Sequence, residues 1–142
     1  MSWFEESPTI SLELIHATGV STTASIIDIG GGTSRLVDAL LAEGYSAVSV
    51  LDLSEKALER SKARLGPQSS AKVKWVAVDV TAWEPSQAYD VWHDRATPSE
   101  RAAYIERVLR AVRFDGHVII GTFALAVRVV DPRSAGLIAA MR

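Results

Sequence analysis

The chain has 142 residues, 48% hydrophobic and 23% charged, and 15 Lys plus Arg against 17 Asp plus Glu leave a net charge of −2. That is enough chain for one self-supporting core and too apolar a composition for a disordered segment. With no Cys, nine Gly and five Pro without a period, and no basic block, it excludes a disulfide scaffold, a cysteine nucleophile, a collagen-like repeat and a general nucleic-acid binder.

The first residues, Ser2-Trp3-Phe4-Glu5-Glu6-Ser7, are acidic where a secretory leader is basic and then apolar. A helix is expected from Ser7 and Pro8 through Thr18, with Gly19 as its stop. Ala24 to Ile29 reads as a buried strand. Ser34 to Glu43 carries Leu36, Val37, Leu40 and Leu41 at helical spacing, and Gly44 closes it. Ala47 to Leu51 is a second strand. Ser54 caps a helix that runs to Leu65 and ends at Gly66-Pro67. Val73 to Val78 and Tyr89 to Trp92 are the third and fourth strands. Thr97-Pro98-Ser99-Glu100 is a capping box for another helix. Asp115-Gly116 turns the chain into a fifth strand, Val118 to Phe123. Ala124 to Val130 extends it or forms a sixth, and Pro132 to Met141 has no clear pattern. The longest apolar stretch, Val118 to Val127, is about half the ~20 residues of a bilayer span, so a cytoplasmic location is expected.

Alternating strands and helices imply one α/β domain over residues 1–142: a doubly wound, mostly parallel sheet of about five to six strands. Such sheets bind ligands beyond the carboxyl ends of their strands. The loop after the first strand, Asp28-Ile29-Gly30-Gly31-Gly32-Thr33, lets the backbone approach a ligand closely, with the next helix pointing its N-terminus there. A dinucleotide fingerprint needs a third glycine where this chain has Arg35. A carboxylate at Asp28 repels a pyrophosphate but suits an ammonium, which S-adenosylmethionine carries on its amino-acid tail. Asp52, 20 residues past Gly32, is spaced to meet ribose hydroxyls. Asp79 ends the third strand, where it can accept from an adenine amine beside the Val80 amide. Leu53 completes the expected cofactor contacts.

These residues resemble the class I S-adenosylmethionine-dependent methyltransferases. Asp28-x-Gly30-x-Gly32 is similar to their first motif, and Asp52 and Asp79 to their second and third. Residues 89–96, Tyr-Asp-Val-Trp-His-Asp-Arg-Ala, resemble the fourth-strand segment of a bacterial subgroup of small members, and the resemblance runs over roughly residues 2–124. It implies S-adenosylmethionine as cofactor and places His93 and Asp94 near the transferable methyl. His93 is the expected proton acceptor, since imidazole titrates near neutral pH; its bland alternatives are a backbone-bonded strand-end histidine and one that lines the cofactor without chemistry. Asp94 pairs with Arg95 or orients a substrate. His16 and His117 read as surface or turn residues, Trp75 as core, and Trp83 as packing or an adenine cover. Trp3 and Phe4 fold over the cofactor or staple the first helix.

Three departures from the subgroup stand out: no aromatic-rich loop after the fourth strand, a tail after Phe123 in place of two further strands, and little chain before Trp3. The resemblance therefore implies a shortened member with its C-terminal strands reduced or missing. The expected reaction is methyl transfer to an O, N or S nucleophile of an unknown small molecule or protein. The alternatives are a non-catalytic cofactor-binding module and, disfavoured by Arg35 and Asp28, a nicotinamide-dependent oxidoreductase. Three His and no Cys offer no metal site. No membrane or nucleic-acid partner is indicated, and an apolar edge strand suits a homodimer.

Overall fold

A computed structural model describes residues 8–94, 108, 110–120, 125–131 and 136–140. Its elements are α1 (Thr9–Ala17), β1 (Ser25–Ile29), α2 (Leu36–Ala42), β2 (Ala47–Asp52), α3 (Glu55–Leu65), α4 (Pro67–Ser70), β3 (Val73–Ala77), a 3-10 turn (Val80–Ala82), β4 (Tyr89–Asp94), β5 (Val112–Ile120), β6 (Leu125–Asp131) and β7 (Gly136–Ala140). The strand order is β3-β2-β1-β4-β5-β6-β7, parallel through β5 and antiparallel for β6 and β7. The doubly wound α/β class is thus the one expected. Order reverses between β1 and β4, so the loop after β1 opens at the switch point.

Local chemistry explains most boundaries. Ser54 accepts a hydrogen bond from the Ala57 amide at 3.1 Å and caps α3, and Gly66 ends it at φ 88°. Pro67 then starts the extra one-turn α4, whose Ser70 carbonyl takes the Trp75 indole N–H at 2.9 Å. The two faces of the sheet bury different sets. Leu14 and Ile15 of α1 and Leu36, Val37 and Leu40 of α2 cover Ile26, Val50, Val91 and Ile119. Ile27, Leu51, Trp92 and Val118 face the opposite way with Val108 and Ala111. Ile26 and Ile27 point to opposite faces because side chains alternate along a strand.

Expectations change at the C-terminal side. Asp115-Gly116 does not precede the fifth strand; it forms a bulge inside β5. Pairing jumps from Tyr89–Val112 to Val91–His117, with Asp115 at φ 69°. Gly116 is required there, since a Cβ would stand 2.9 Å from the Asp90 carbonyl oxygen. His117 therefore lies within a strand, not in a turn. Among the described residues the sheet has seven strands, where about five to six were expected, the last two being β6 and β7. Gly136–Ala140 is too rich in small residues to read as a strand; antiparallel pairing with Ala126–Asp131 makes it one. The capping box at Thr97 and the residues Trp3, Phe4 and Arg95 lie outside the described residues. Among those described, no helix is long and apolar enough to cross a membrane.

Trp92 is the largest fully buried side chain. Trp92→Ala is expected to lower unfolding free energy by about 3–5 kcal/mol, measured by urea denaturation; a loss under 1 kcal/mol would mean this face repacks freely.

Candidate functional site

The glycine loop is fastened to the end of β2. The Gly30 and Gly31 amides donate to the Leu51 carbonyl at 2.7 and 3.3 Å. The Gly32 amide donates to Asp52 Oδ2 at 2.8 Å, and the Ser54 amide to Asp52 Oδ1 at 2.8 Å. Ser61 of α3 donates to the Gly32 carbonyl, and the Ser34 amide reaches back to the Gly31 carbonyl at 3.0 Å. The amides of Gly30, Gly31 and Gly32 are therefore engaged within the protein, not aimed at an anion. α2, only seven residues long, begins at Leu36, beyond the loop. The loop is thus stabilised by its own strand ends.

The three glycines have separate reasons. Gly30 sits at φ 73°, in the left-handed region. A Cβ on Gly31 would run into Asp28 Oδ2 and Cγ. A Cβ on Gly32 would stand 2.7 Å from Asp52 Oδ2 and 2.9 Å from the Ala57 Cβ. The loop thus passes directly over both carboxylates.

Asp28 is fully buried at the C-terminal end of β1. Its Oδ1 lies 2.9 Å from His93 Nδ1, on the neighbouring strand β4, where Asp28 and His93 are register partners. His93 Nε2 lies 2.8 Å from Ser11 Oγ of α1. A carboxylate only accepts, so the Nδ1–H of His93 donates to Asp28, and in the neutral ring Nε2 then accepts from the Ser11 hydroxyl. Asp28 Oδ2 is buried without a hydrogen-bond partner among the described residues.

This arrangement alters the expected role of His93. Both ring nitrogens are engaged, Nδ1 with Asp28 and Nε2 with Ser11, so neither is open to a substrate proton in this arrangement. Asp94, the other expected catalytic residue, is also buried. Asp52 remains half-exposed beside the loop, and Leu53 next to it is 73% exposed, the most open large apolar side chain described. Asp79 is exposed, and its Oδ1 accepts from the Thr81 amide at 2.9 Å and the Thr81 hydroxyl at 2.7 Å. These bonds, the hydroxyl's first, hold the Asp79 carboxyl below its usual range. Val80 opens the 3-10 turn and packs on the core. Trp83 packs near Tyr89 and Trp92, with ring centroids 6.2 and 6.4 Å away, and is a packing residue. Burial pushes the Tyr89 phenol up. Exposed His16 pairs with Glu43 at 2.7 Å. Among the described residues no group of three His, Cys, Asp or Glu could hold a metal.

Sequence reasoning missed Ser11 and Ser61. The available signal was a serine on an apolar helix face: Ser11 shares its face with Leu14 and Ile15, and Ser61 with Ala57 and Leu58. A buried hydroxyl needs a partner, so such a residue points to something polar beneath it.

Residues 26–116 match the sequence model of a methyltransferase domain family. Among solved structures, the glycopeptide N-methyltransferase MtfA complexed with S-adenosyl-L-methionine has a TM-score of 0.70 at 17% identity, over 84% of this chain and 55% of its own. A 1,6-didemethyltoxoflavin-N1-methyltransferase of Burkholderia thailandensis, with bound 1,6-didemethyltoxoflavin and S-adenosylhomocysteine, gives 0.64 at 24% identity, over 83% and 53%. A TehB-like SAM-dependent methyltransferase from Corynebacterium glutamicum gives 0.64 at 23% identity, over 78% and 60%. The chain thus spans little more than half the length of these structures, and the likeness establishes the fold. No curated protein sequence matches it.

Two measurements test this geometry. Gly32→Ala is expected to cost about 1–3 kcal/mol, because the Asp52 carboxylate or α3 must move; an unchanged thermal midpoint would show that the loop has slack. Thr81→Ala should raise the Asp79 titration midpoint, read by carboxyl carbon NMR. The sign for stability follows from the depressed carboxyl: its contribution is present above the unfolded-state value and is lost as pH falls through the folded one.

Proposed function

The chain belongs to the methyltransferase domain family, and from that premise we propose that it binds S-adenosylmethionine across the carboxyl ends of β1 and β2 and directs its methyl to a nucleophile. The observation that carries this reading is Asp28 Oδ2: a buried carboxylate oxygen lacking a donor among the described residues, packed so closely under Gly31 that a Cβ there would collide with it. A buried acceptor of this kind is stabilised by a cationic donor, and the ammonium of the amino-acid tail is one. The residues present therefore fit the cofactor. When bound, it supplies an electrophilic methyl on a sulfonium.

Asp28 would hold the ammonium through Oδ2. Asp52 would take the ribose hydroxyls, since each of its oxygens already accepts one amide and retains a second lone pair. The exposed Leu53 offers an apolar surface to the adenine, and Val80 and Asp79 lie at the end of the adjoining strand. His93 would act through Asp28, not as a base. Rate enhancement then rests on holding nucleophile and methyl in line, which suits a nucleophile needing little deprotonation. The acceptor is a small molecule or protein side chain of that kind. A pyrophosphate-bearing cofactor fits less well, because the loop amides it needs are engaged and Asp28 would repel it.

The test is calorimetric titration of the full chain with S-adenosylmethionine and S-adenosylhomocysteine, with NAD and NADPH as controls. Micromolar binding of the sulfur ligands alone is expected. Asp52→Ala should weaken it about 10- to 100-fold, the worth of charge-assisted hydrogen bonds, and Asp28→Ala should abolish it. Nicotinamide binding instead, or unchanged affinity in Asp28→Ala, would sink the proposal.

A further inference from the structure

Ser11, His93 and Asp28 form a closed polar chain inside an otherwise apolar layer. Ser11 is 8% exposed and the other two are 0% exposed. The order of groups matches that of a serine nucleophile, its base and an orienting acid. Accessibility argues against that chemistry. The Ser11 hydroxyl faces inward from α1 beside buried Leu14 and Ile15, so an ester or amide carbonyl could not reach it.

The chain has a clear direction instead. The hydroxyl donates to Nε2, which leaves the proton on Nδ1, and Nδ1–H donates to Asp28 Oδ1. That anchors one carboxylate oxygen and leaves Oδ2 as the free acceptor beneath Gly31. Asp28 itself keeps a proton on Nδ1; the hydroxyl holds the far side of the ring, and without it the imidazole plane is free to tilt and to carry its contact with Asp28 Oδ1 along. The carboxylate can then rotate, and the acceptor no longer has one position.

We propose that Ser11 is a positioning residue of the cofactor site: through His93 it sets the rotation of the Asp28 carboxylate and so the recognition of the ligand's ammonium. This rests on the S-adenosylmethionine reading above. It also couples α1 to the amino-acid half of the ligand and not to its nucleoside half.

That asymmetry makes the test specific. Two probes are titrated into the wild type, Ser11→Ala and Ser11→Thr: S-adenosylhomocysteine, which has the ammonium, and 5′-methylthioadenosine, which lacks the amino-acid tail. Ser11→Ala should weaken S-adenosylhomocysteine about tenfold, the scale of one hydrogen bond to a charged group. It should leave 5′-methylthioadenosine within about twofold. Ser11→Thr, which keeps the hydroxyl, should recover most of the loss. Circular dichroism on each variant confirms folding. Equal weakening of both probes, or no change in either, would overturn the positioning role while leaving the cofactor reading intact. A wild type that binds neither probe would overturn the cofactor reading itself, and the proposal with it. A third variant, His93→Asn, keeps a donor toward Asp28 but not the link to Ser11. It should reproduce the selective loss, and full affinity for S-adenosylhomocysteine would count against the relay.

Discussion

A carboxylate taken fully out of water is costly unless donors meet its lone pairs, and in this protein Asp28 is such a group. One oxygen is met by His93, which in turn needs Ser11; the other has no donor among the described residues. Much of the site follows from accommodating that one residue. β1 must end beside β4 to bring His93 into register. α1 must pack over the pair to deliver a hydroxyl. The backbone must cross above the carboxylate without a side chain, which is why position 31 is glycine. A site that leaves one buried acceptor unsatisfied is stabilised by a ligand bringing a cationic donor, so the energetic defect and the proposed recognition are the same feature.

The second carboxylate works differently. Asp52 is half-exposed and organises the loop by accepting the Gly32 and Ser54 amides, one on each oxygen. It joins the end of β2, the glycine loop and the start of α3 into one rigid unit. Asp52 therefore has a structural role whether or not a ribose meets it. The two acids divide the labour: Asp28 is poised by burial, Asp52 by hydrogen bonding. Both depend on glycines whose absent side chains let the loop lie within contact distance.

How far the site could be read in advance depends on whether its signal is local. The glycine loop, the acid spacing and the Ser54 cap are local, because loop geometry and capping act over a few residues. The β5 bulge is not, since a turn-forming pair such as Asp115-Gly116 can equally end a strand or swell one, and pairing with β4 decides. β7 has no pattern of its own and exists as a strand through its neighbour. The role of His93 is the sharpest case. Near-neutral titration suggests a base, yet burial and two engaged nitrogens make it a link between an acid and a hydroxyl.

By itself, then, the sequence determined the alternation of strands and helices, the switch-point glycine loop, and the acids at the strand ends. Each is written in short-range spacing that burial and backbone geometry impose on any chain of this class. Only the tertiary structure decided that the loop amides turn inward, that Asp28 is sealed beneath Gly31, and that Ser11 stands behind His93. Ser11 and His93 are separated by 82 positions. Contacts at that range come from packing a helix onto one face of the sheet, a constraint no local pattern encodes.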